Sequence, residues 1–484
     1  LFLFLDLLKE KVREEQLVRK YKRLEKVFSA KEKHFQKSLF IYTRLTLSGH
    51  TIHSSIGPAF FHQNAFGVMQ IKHKHLLSLA LVLFFLLTIA SGALAQQKDP
   101  LAKKADKLAH KYIITDGHVD LPYRLKVRNF QLTREYIGIP VETTDGDFDF
   151  VRAKKGGLDA PFMSIYIPSD YQKQPDMGMA LADSLINMVN GIAQAHPDRF
   201  AVATSPDQVE ANFKKGIISL PMGMENGAPV GHDLKNLAYL HQRGIRYITL
   251  THGKDNQICD SSYDTTHTWN GLSPFGREVV AEMNRLGIMV DISHVSDSTF
   301  YQAVRLSKVP VIASHSSCRK FTPGFERNMN DDMIRTLKTN GGVIQINFGS
   351  GFLDGQVSEY NNKKREELRQ VLQDKGLKYG TPEAKAVIDE FQKANPSLYA
   401  DVKTVANHID HVVALAGIDH VGIGSDFDGV GDSLPIGLKD VSQYPNLIRE
   451  LLERGYSESD IAKICYQNVF RVWRAVEAAA EKKM

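Results

Sequence analysis

Between residues 112 and 427, short runs of apolar and β-branched residues alternate with longer stretches whose apolar positions recur at helical spacing. Eight such runs, at 112–120, 160–168, 218–226, 245–252, 288–295, 309–316, 341–348 and 420–427, are bounded by turn residues and predict strands. The stretches 176–195, 234–243, 274–286, 297–307, 331–339 and 405–416 predict amphipathic helices. Eight strand–helix alternations predict a closed parallel (β/α)8 barrel of the TIM type, an α/β fold. Two intervals break the spacing. Residues 121–159 form a long first loop containing Gly146, Asp147 and Asp149, and 349–404 form an insertion after the seventh strand. In the insertion, Lys363-Lys-Arg-Glu-Glu-Leu-Arg369 predicts a charged surface helix and not a second domain. Residues 444–483 predict C-terminal helices on the outside of the barrel.

Ahead of the barrel the pattern changes. Met69-Gln-Ile-Lys-His-Lys-His75 is a short basic segment, and 76–89 is apolar apart from Ser78 and Thr88. Ser91-Gly-Ala-Leu-Ala95 then offers a small-residue cleavage site, so 69–95 predicts a secretory signal peptide with Gln96 as the first mature residue. A membrane anchor would want about 20 apolar residues, more than this run provides. Residues 1–68 contain no methionine and no recognisable chemistry. They are read as an over-extended start, or as a helical or disordered leader. The expectation is an exported protein, periplasmic or secreted, with a single barrel domain over 96–484.

The leader also changes the meaning of the charge. Residues 1–68 hold 12 Lys/Arg against 6 Asp/Glu, and Lys72 and Lys74 add two positive charges. Removing that +6 and +2 turns the +5 of the whole chain into −3 for 96–484. A basic surface for nucleic acid is therefore not expected. The three cysteines, Cys259, Cys318 and Cys465, form no CxxC, and an odd count leaves at least one thiol without an intramolecular partner.

Ionisable residues gather at the predicted strand ends. The first strand closes with Asp116-Gly-His118-Val-Asp120, the third with Met224-Glu225-Asn226 and the fourth with Leu250-Thr-His252. The fifth closes with Asp291-Ile-Ser-His294, the sixth with Ala313-Ser-His315 and the eighth with Gly424-Ser-Asp426-Phe-Asp428. In a (β/α)8 barrel these C-terminal ends carry the active site. One histidine at a strand end is more often a hydrogen-bonded packing residue, and an isolated carboxylate in a loop is usually solvated. Four histidines and three carboxylates at one rim are different, because their desolvation and repulsion are costly without cations. Imidazole and carboxylate without thiolate suit zinc, with manganese, iron and cobalt left open. Two ions about 3.5–4 Å apart need a bridging group, for which Glu225 is the candidate, and would generate a hydroxide nucleophile from a shared water.

Taken together, the motifs resemble those of the membrane (renal-type) dipeptidases, zinc peptidases of the amidohydrolase-like barrel group. The resemblance rests on Asp116-Gly-His-Val-Asp120, Gly223-Met-Glu-Asn-Gly227, Leu250-Thr-His252 and Asn270-Gly-Leu-Ser-Pro-Phe-Gly-Arg-Glu278. It extends through Asp291-Ile-Ser-His-Val-Ser296, Ser314-His-Ser-Ser317, Arg327-Asn-Met-Asn-Asp331 and Gly424-Ser-Asp-Phe-Asp-Gly-Val430 to Tyr466-Gln-Asn-Val-Phe-Arg-Val472. It implies two zinc ions, one held by His118 and Asp120, the other by His294 and His315, with Glu225 bridging. It also implies that His252 polarises the scissile carbonyl, that Arg327 pairs with the substrate carboxylate, and that Asp426 carries the proton from water to the leaving amine. The reaction implied is hydrolysis of free dipeptides, with an L or D residue at the C-terminal position, by a metal-bridging hydroxide. Family members are often dimers, so a homodimer is the assembly suggested, with the oligomeric state open. Mammalian relatives carry a C-terminal lipid anchor, whereas Ala478-Ala-Ala-Glu-Lys-Lys-Met484 is not of that kind, so no stable membrane anchor is expected.

Two other readings compete. Another binuclear amidohydrolase, acting on cyclic amides, lactones or phosphoesters, would ordinarily bridge its metals with a carbamylated lysine and not a third-strand glutamate. A noncatalytic exported binding protein on the same barrel would be expected to have lost at least one of the eight site residues, and all are present.

Overall fold

The computed structural model describes residues 99–127, 141–143 and 145–480. The leader and signal peptide expected over 1–95, and 128–140 of the first long loop, lie outside them. Ten strands are present among the described residues: β1 Ile114–Val119, β2 Leu158–Tyr166, β3 Phe200–Val202, β4 Ile218–Leu220, β5 Met222–Glu225, β6 Ile245–Thr249, β7 Met289–Asp291, β8 Ile312–Ser316, β9 Val343–Ile346 and β10 Val421–Ile423. Eight form one parallel sheet in the order β1-β2-β5-β6-β7-β8-β9-β10. Its two edges meet beyond the regular strands. Asp426 N–H donates to His118 O at 3.1 Å and Asp120 N–H to Phe427 O at 2.9 Å, closing the (β/α)8 barrel through a parallel bridge from Val119 to Phe427.

The expected third strand is split. Pro221 has no N–H to give to a ladder, so 218–220 turns away to pair with β3 in a two-stranded side sheet, while 222–225 enters the barrel. The side sheet, with helix Pro206–Phe213, is an addition that the periodicity did not predict, because a three-residue strand is too short to show alternation. The long first loop also differs from expectation, since helices Leu121–Val127 and Phe150–Gly156 occupy its two ends. In the insertion, the expected charged helix runs Gly355–Asp374, and a second helix, Pro382–Ala394, packs on it through Leu368, Leu372 and Ala384.

Local chemistry explains the other helix boundaries. Ser273, Ser296 and Asn330 each accept a backbone N–H of the helix they open, and left-handed Gly287 and Gly341 close two of those helices. At the N-terminal mouth of the barrel, helix Asn468–Ala479 inserts Trp473 against Phe162, with ring centroids 5.2 Å apart. All three cysteines are buried and unpaired.

His408, on helix Val402–Ala416, anchors the root of the insertion. Cys318 N–H donates to its Nδ1 at 3.0 Å, and its Nε2 lies 2.9 Å from Leu353 O. The first bond needs a bare Nδ1, so the ring must be neutral, and burial holds its pKa down to about 4 from the usual 6.5. Below pH 6.5 the unfolded chain takes up a proton that the folded chain refuses, so stability is lost as the pH falls from 6.5 toward 4, by about 3 kcal/mol. Urea denaturation between pH 7 and 4 should show this loss, and His408→Gln should flatten the slope. An equal slope in the variant would remove His408 as its source.

Candidate metal centre

Glu225, the last residue of β5, lies at the centre of the C-terminal mouth with a buried carboxylate. Its two oxygens face two different groups. Oε2 is 3.4 Å from His118 Nε2, which is itself 3.3 Å from Asp120 Oδ2. Oε1 is 3.0 Å from His294 Nε2 and 3.3 Å from His315 Nε2. His252 Nε2 approaches the same Oε1 at 3.6 Å. Donor atoms of His118, Glu225 and His315, of Glu225, His252 and His294, and of His118, Asp120 and Asp426 each lie within 4.8 Å of one another. Six strand ends thus deliver the set that the sequence singled out.

The outer hydrogen bonds decide which nitrogen of each ring faces inward. Tyr247 Oη donates to Gly117 O at 3.0 Å, so its oxygen accepts from His118 Nδ1–H, also at 3.0 Å. Ser314 Oγ donates to Asp291 Oδ2 at 2.6 Å and accepts from His315 Nδ1–H at 2.8 Å. Both Nε2 atoms therefore present lone pairs to the cluster. His118 Nε2 has no hydrogen-bond partner although buried, and the Nε2 atoms of His294 and His315 face each other at 2.8 Å. Nitrogen lone pairs and carboxylate oxygens converging in this way fit divalent cations.

Charge in the site follows the same geometry. Burial would raise the Glu225 carboxyl, but the imidazoles of His118, His252 and His294 around it hold it well below the usual range. Burial drives His294 and His315 well below the usual imidazole value, with Arg327 contributing at both. In the other corner, burial and the neighbouring Asp120 and Glu225 carboxylates push Asp426 up to about 8. That corner has a surplus of negative charge, and Asn347 Nδ2 fixes Asp426 by donating to Oδ2 at 2.8 Å.

Two carboxylates brace the backbone beneath. Asp116 accepts from the backbone N–H of His118 and Ser425 and from Tyr444 Oη, joining the ends of β1 and β10. Asp291 accepts from the N–H of Ser293 and Ser314 and from Thr249 Oγ1, joining β6, β7 and β8. Gly117 and Gly424 allow close approach here, since a Cβ on either would lie within 2.2 Å of Ser314 O. His294 and Asp426 have φ of 69° and 64°, a left-handed conformation that costs energy outside glycine and clusters at functional sites.

Arg327 is nearly fully buried beside the cluster. Nη1 donates to Ser316 Oγ and Nη2 to His315 O, both at 2.7 Å, while Nε has no partner and Cζ lies 5.5 Å over the Phe352 ring. The cavity above the cluster has a volume of about 850 Å³. Its walls include Tyr166, Tyr263, Phe325 and Phe352, with residues of the inserted helix at its rim.

Residues 102–484 match the family described as Membrane dipeptidase (Peptidase family M19). The chain belongs to the membrane dipeptidase family. Solved dipeptidases share the fold. The probable dipeptidase PvdM from Pseudomonas aeruginosa is 26% identical with a TM-score of 0.66, over 78% of this chain and 99% of that one. A metallopeptidase described as dipeptidase AC is 27% identical with a TM-score of 0.61, over 75% and 98%. A metallopeptidase from Rhodobacter sphaeroides, solved with a phosphinate mimic of the dipeptide L-Ala-D-Ala, is 26% identical with a TM-score of 0.61, over 75% and 99%. This membrane dipeptidase is accordingly a metallo-dipeptidase, a hydrolase of peptide bonds.

Sequence reasoning missed several residues of the dipeptidase site. The ends of β2 and β9 showed no His, Asp or Glu, yet they supply Tyr166, 4.8 Å from the His252 ring, and Asn347. Tyr247 was hidden as one aromatic residue in an apolar strand, and a polar residue ending such a run was the available signal for Asn347. Ser314→Ala removes the acceptor that fixes the His315 tautomer and should weaken metal retention about 10–100-fold. Competition with a graded chelator measures this, and unchanged affinity would deny Ser314 that role.

Proposed function

We propose that the protein hydrolyses free dipeptides with two zinc ions, one held by His118 and Asp120, the other by His294 and His315, and Glu225 shared between them. The observation that carries this reading is the division of the Glu225 carboxylate, with Oε2 toward His118 and Oε1 toward His294 and His315. Imidazole and carboxylate donors without thiolate favour zinc. When bound, such ions supply Lewis acidity, acidifying water and polarising a carbonyl.

The protein's own groups do the rest. Asp426 accepts a proton from the attacking water and delivers it to the leaving amine, a role that suits a carboxyl raised toward neutrality and oriented by Asn347. His252 has a lowered pKa, because burial outweighs the attraction of Glu225, and its imidazole polarises the carbonyl oxygen as negative charge develops there. Arg327 receives the substrate's terminal carboxylate on Nε–H and the Nη hydrogens not engaged by Ser316 and His315. A single such clamp beside the cluster favours dipeptides over longer chains. Tolerance of a C-terminal D residue is supported by the L-Ala-D-Ala mimic held by the Rhodobacter sphaeroides relative.

Purified full-length protein with zinc should release amino acids from L,L and L,D dipeptides and leave a tripeptide and an N-acyl amino acid intact. A chelator should abolish turnover, and Arg327→Ala should raise KM about 100-fold or more, the scale of losing a charged pair at a buried site. Zinc-loaded, folded protein that cleaves no dipeptide would defeat this reading.

The proposal extends to export, supported by the basic, apolar and small-residue sequence of 69–95. Mass mapping of the protein secreted by an expression host should find Gln96 at the N-terminus. Retention of 69–95 on the purified protein would count against export by this segment.

A further inference from the structure

The inserted helix Gly355–Asp374 presents Ser358, Asn361, Asn362 and Arg365 to the rim of the catalytic cavity, a spacing that belongs to one helical face. Asn361 fixes the helix there by bonding both backbone groups of Leu398, Nδ2 to the carbonyl at 2.9 Å and Oδ1 from the N–H at 3.0 Å. Beyond the rim a second cavity of about 800 Å³ opens between the two inserted helices, and Arg365, Asn361, Val430 and Ser433 belong to the walls of both. Arg365 therefore stands where the two spaces meet.

Its charge is free for a ligand, unlike those around it. Lys364 is paired with Glu367 at 2.8 Å, Arg369 with Glu366, and Arg124 on the opposite wall with Asp428 at 3.0 Å. Arg365 donates only to the neutral Asn362 Oδ1, at 3.1 Å, and has no carboxylate within 4.0 Å among the described residues. Of the acidic wall residues, Asp120, Glu225 and Asp426 lie in the buried cluster of donor atoms and Asp428 is paired with Arg124, so the unpaired charge at the rim has the opposite sign from the floor.

We propose that Arg365 is a specificity-determining residue that selects dipeptides carrying a second carboxylate in a side chain, with Asp or Glu as one of the two residues. The proposal rests on the dipeptidase reading. An Arg fork at a half-open rim offers two parallel N–H donors to such a group, while the second cavity leaves room for side chains longer than alanine.

The test compares kcat/KM of the zinc-loaded full-length protein on isosteric pairs, Ala-Glu with Ala-Gln and Glu-Ala with Gln-Ala, with Ala-Ala as a reference. One of the two pairs should show a preference for the acid of about fivefold, the scale of a partly exposed ion pair, and added salt should shrink it. Arg365→Gln should bring the acid-to-amide ratio close to one, and Arg365→Lys should keep part of it. Lys363→Gln, a charge change on the same helix outside the cavity walls, should leave the ratio in place. Ala-Ala cleavage with both ratios at one, or a ratio that survives Arg365→Gln, overturns the proposal. An equal loss in Lys363→Gln also overturns it by assigning the preference to the general field of the helix. Absence of Ala-Ala cleavage is instead the failure of the dipeptidase reading.

Discussion

A carboxylate within 3.6 Å of four imidazole nitrogens is the constraint on which the mouth of this barrel depends. Glu225 sits in a buried environment where a lone charge would be strongly disfavoured. The histidines around it compensate only in part, because three, His252, His294 and His315, have their protonation suppressed by burial and by Arg327. Asp120 and Asp426 crowd two further carboxyl groups onto the His118 side, where burial and that crowding push Asp426 up to about 8. A cluster with that balance is favourable when divalent cations complete it, so the same arrangement that costs folding energy supplies binding energy for metal.

Holding such a cluster requires a backbone that does not relax away from it. Asp116 ties the ends of β1 and β10 together at the seam of the barrel, and Asp291 ties β6, β7 and β8. Both are acceptors for backbone N–H groups that regular strand pairing leaves over as the strands end. Fixed in this way, His294 and Asp426 can be kept in left-handed conformations that a free loop would abandon. Tyr247 and Ser314 extend the restraint from the backbone to the rings by choosing the tautomer. These restraints come from the protein's own groups and fix the orientation of the site, the condition under which electrostatic stabilisation is most effective.

Much of this was legible in the sequence because the two periodicities are physically distinct. Buried parallel strands must be apolar, so a His, Asp or Glu ending such a run stands out, and six strand ends did so. The barrel, its insertion and the convergence of these histidines and carboxylates at one mouth followed from that contrast. What escaped had no such contrast. Pro221 splits a run that reads as one strand, and β3 is too short to show a period. Asn347 and Tyr166 serve the site through neutral groups, which at a strand end look like ordinary packing. The roles of Asp116 and Asp291 were hidden for a different reason. Each sits in a motif quoted for its histidine, and only three dimensions show which N–H groups its oxygens receive.

The fold also separates what must be invariant from what is free to change. A shift at any of five strand ends, those of β1, β6, β7, β8 and β10, would pass through Asp116 or Asp291 to its neighbours, so the floor of the site tolerates little variation. The insertion is attached differently. It packs through its own small apolar cluster of Leu368, Leu372 and Ala384, and it meets the barrel through local bonds such as Ser350 N–H to Ser433 O and the His408 bond to Leu353 O. A helix held in that manner can exchange the side chains on its exposed face without disturbing the cluster below. Chemistry is therefore fixed by the strands, while the group that a substrate meets on its way in is set by a helix whose folding requirements lie elsewhere.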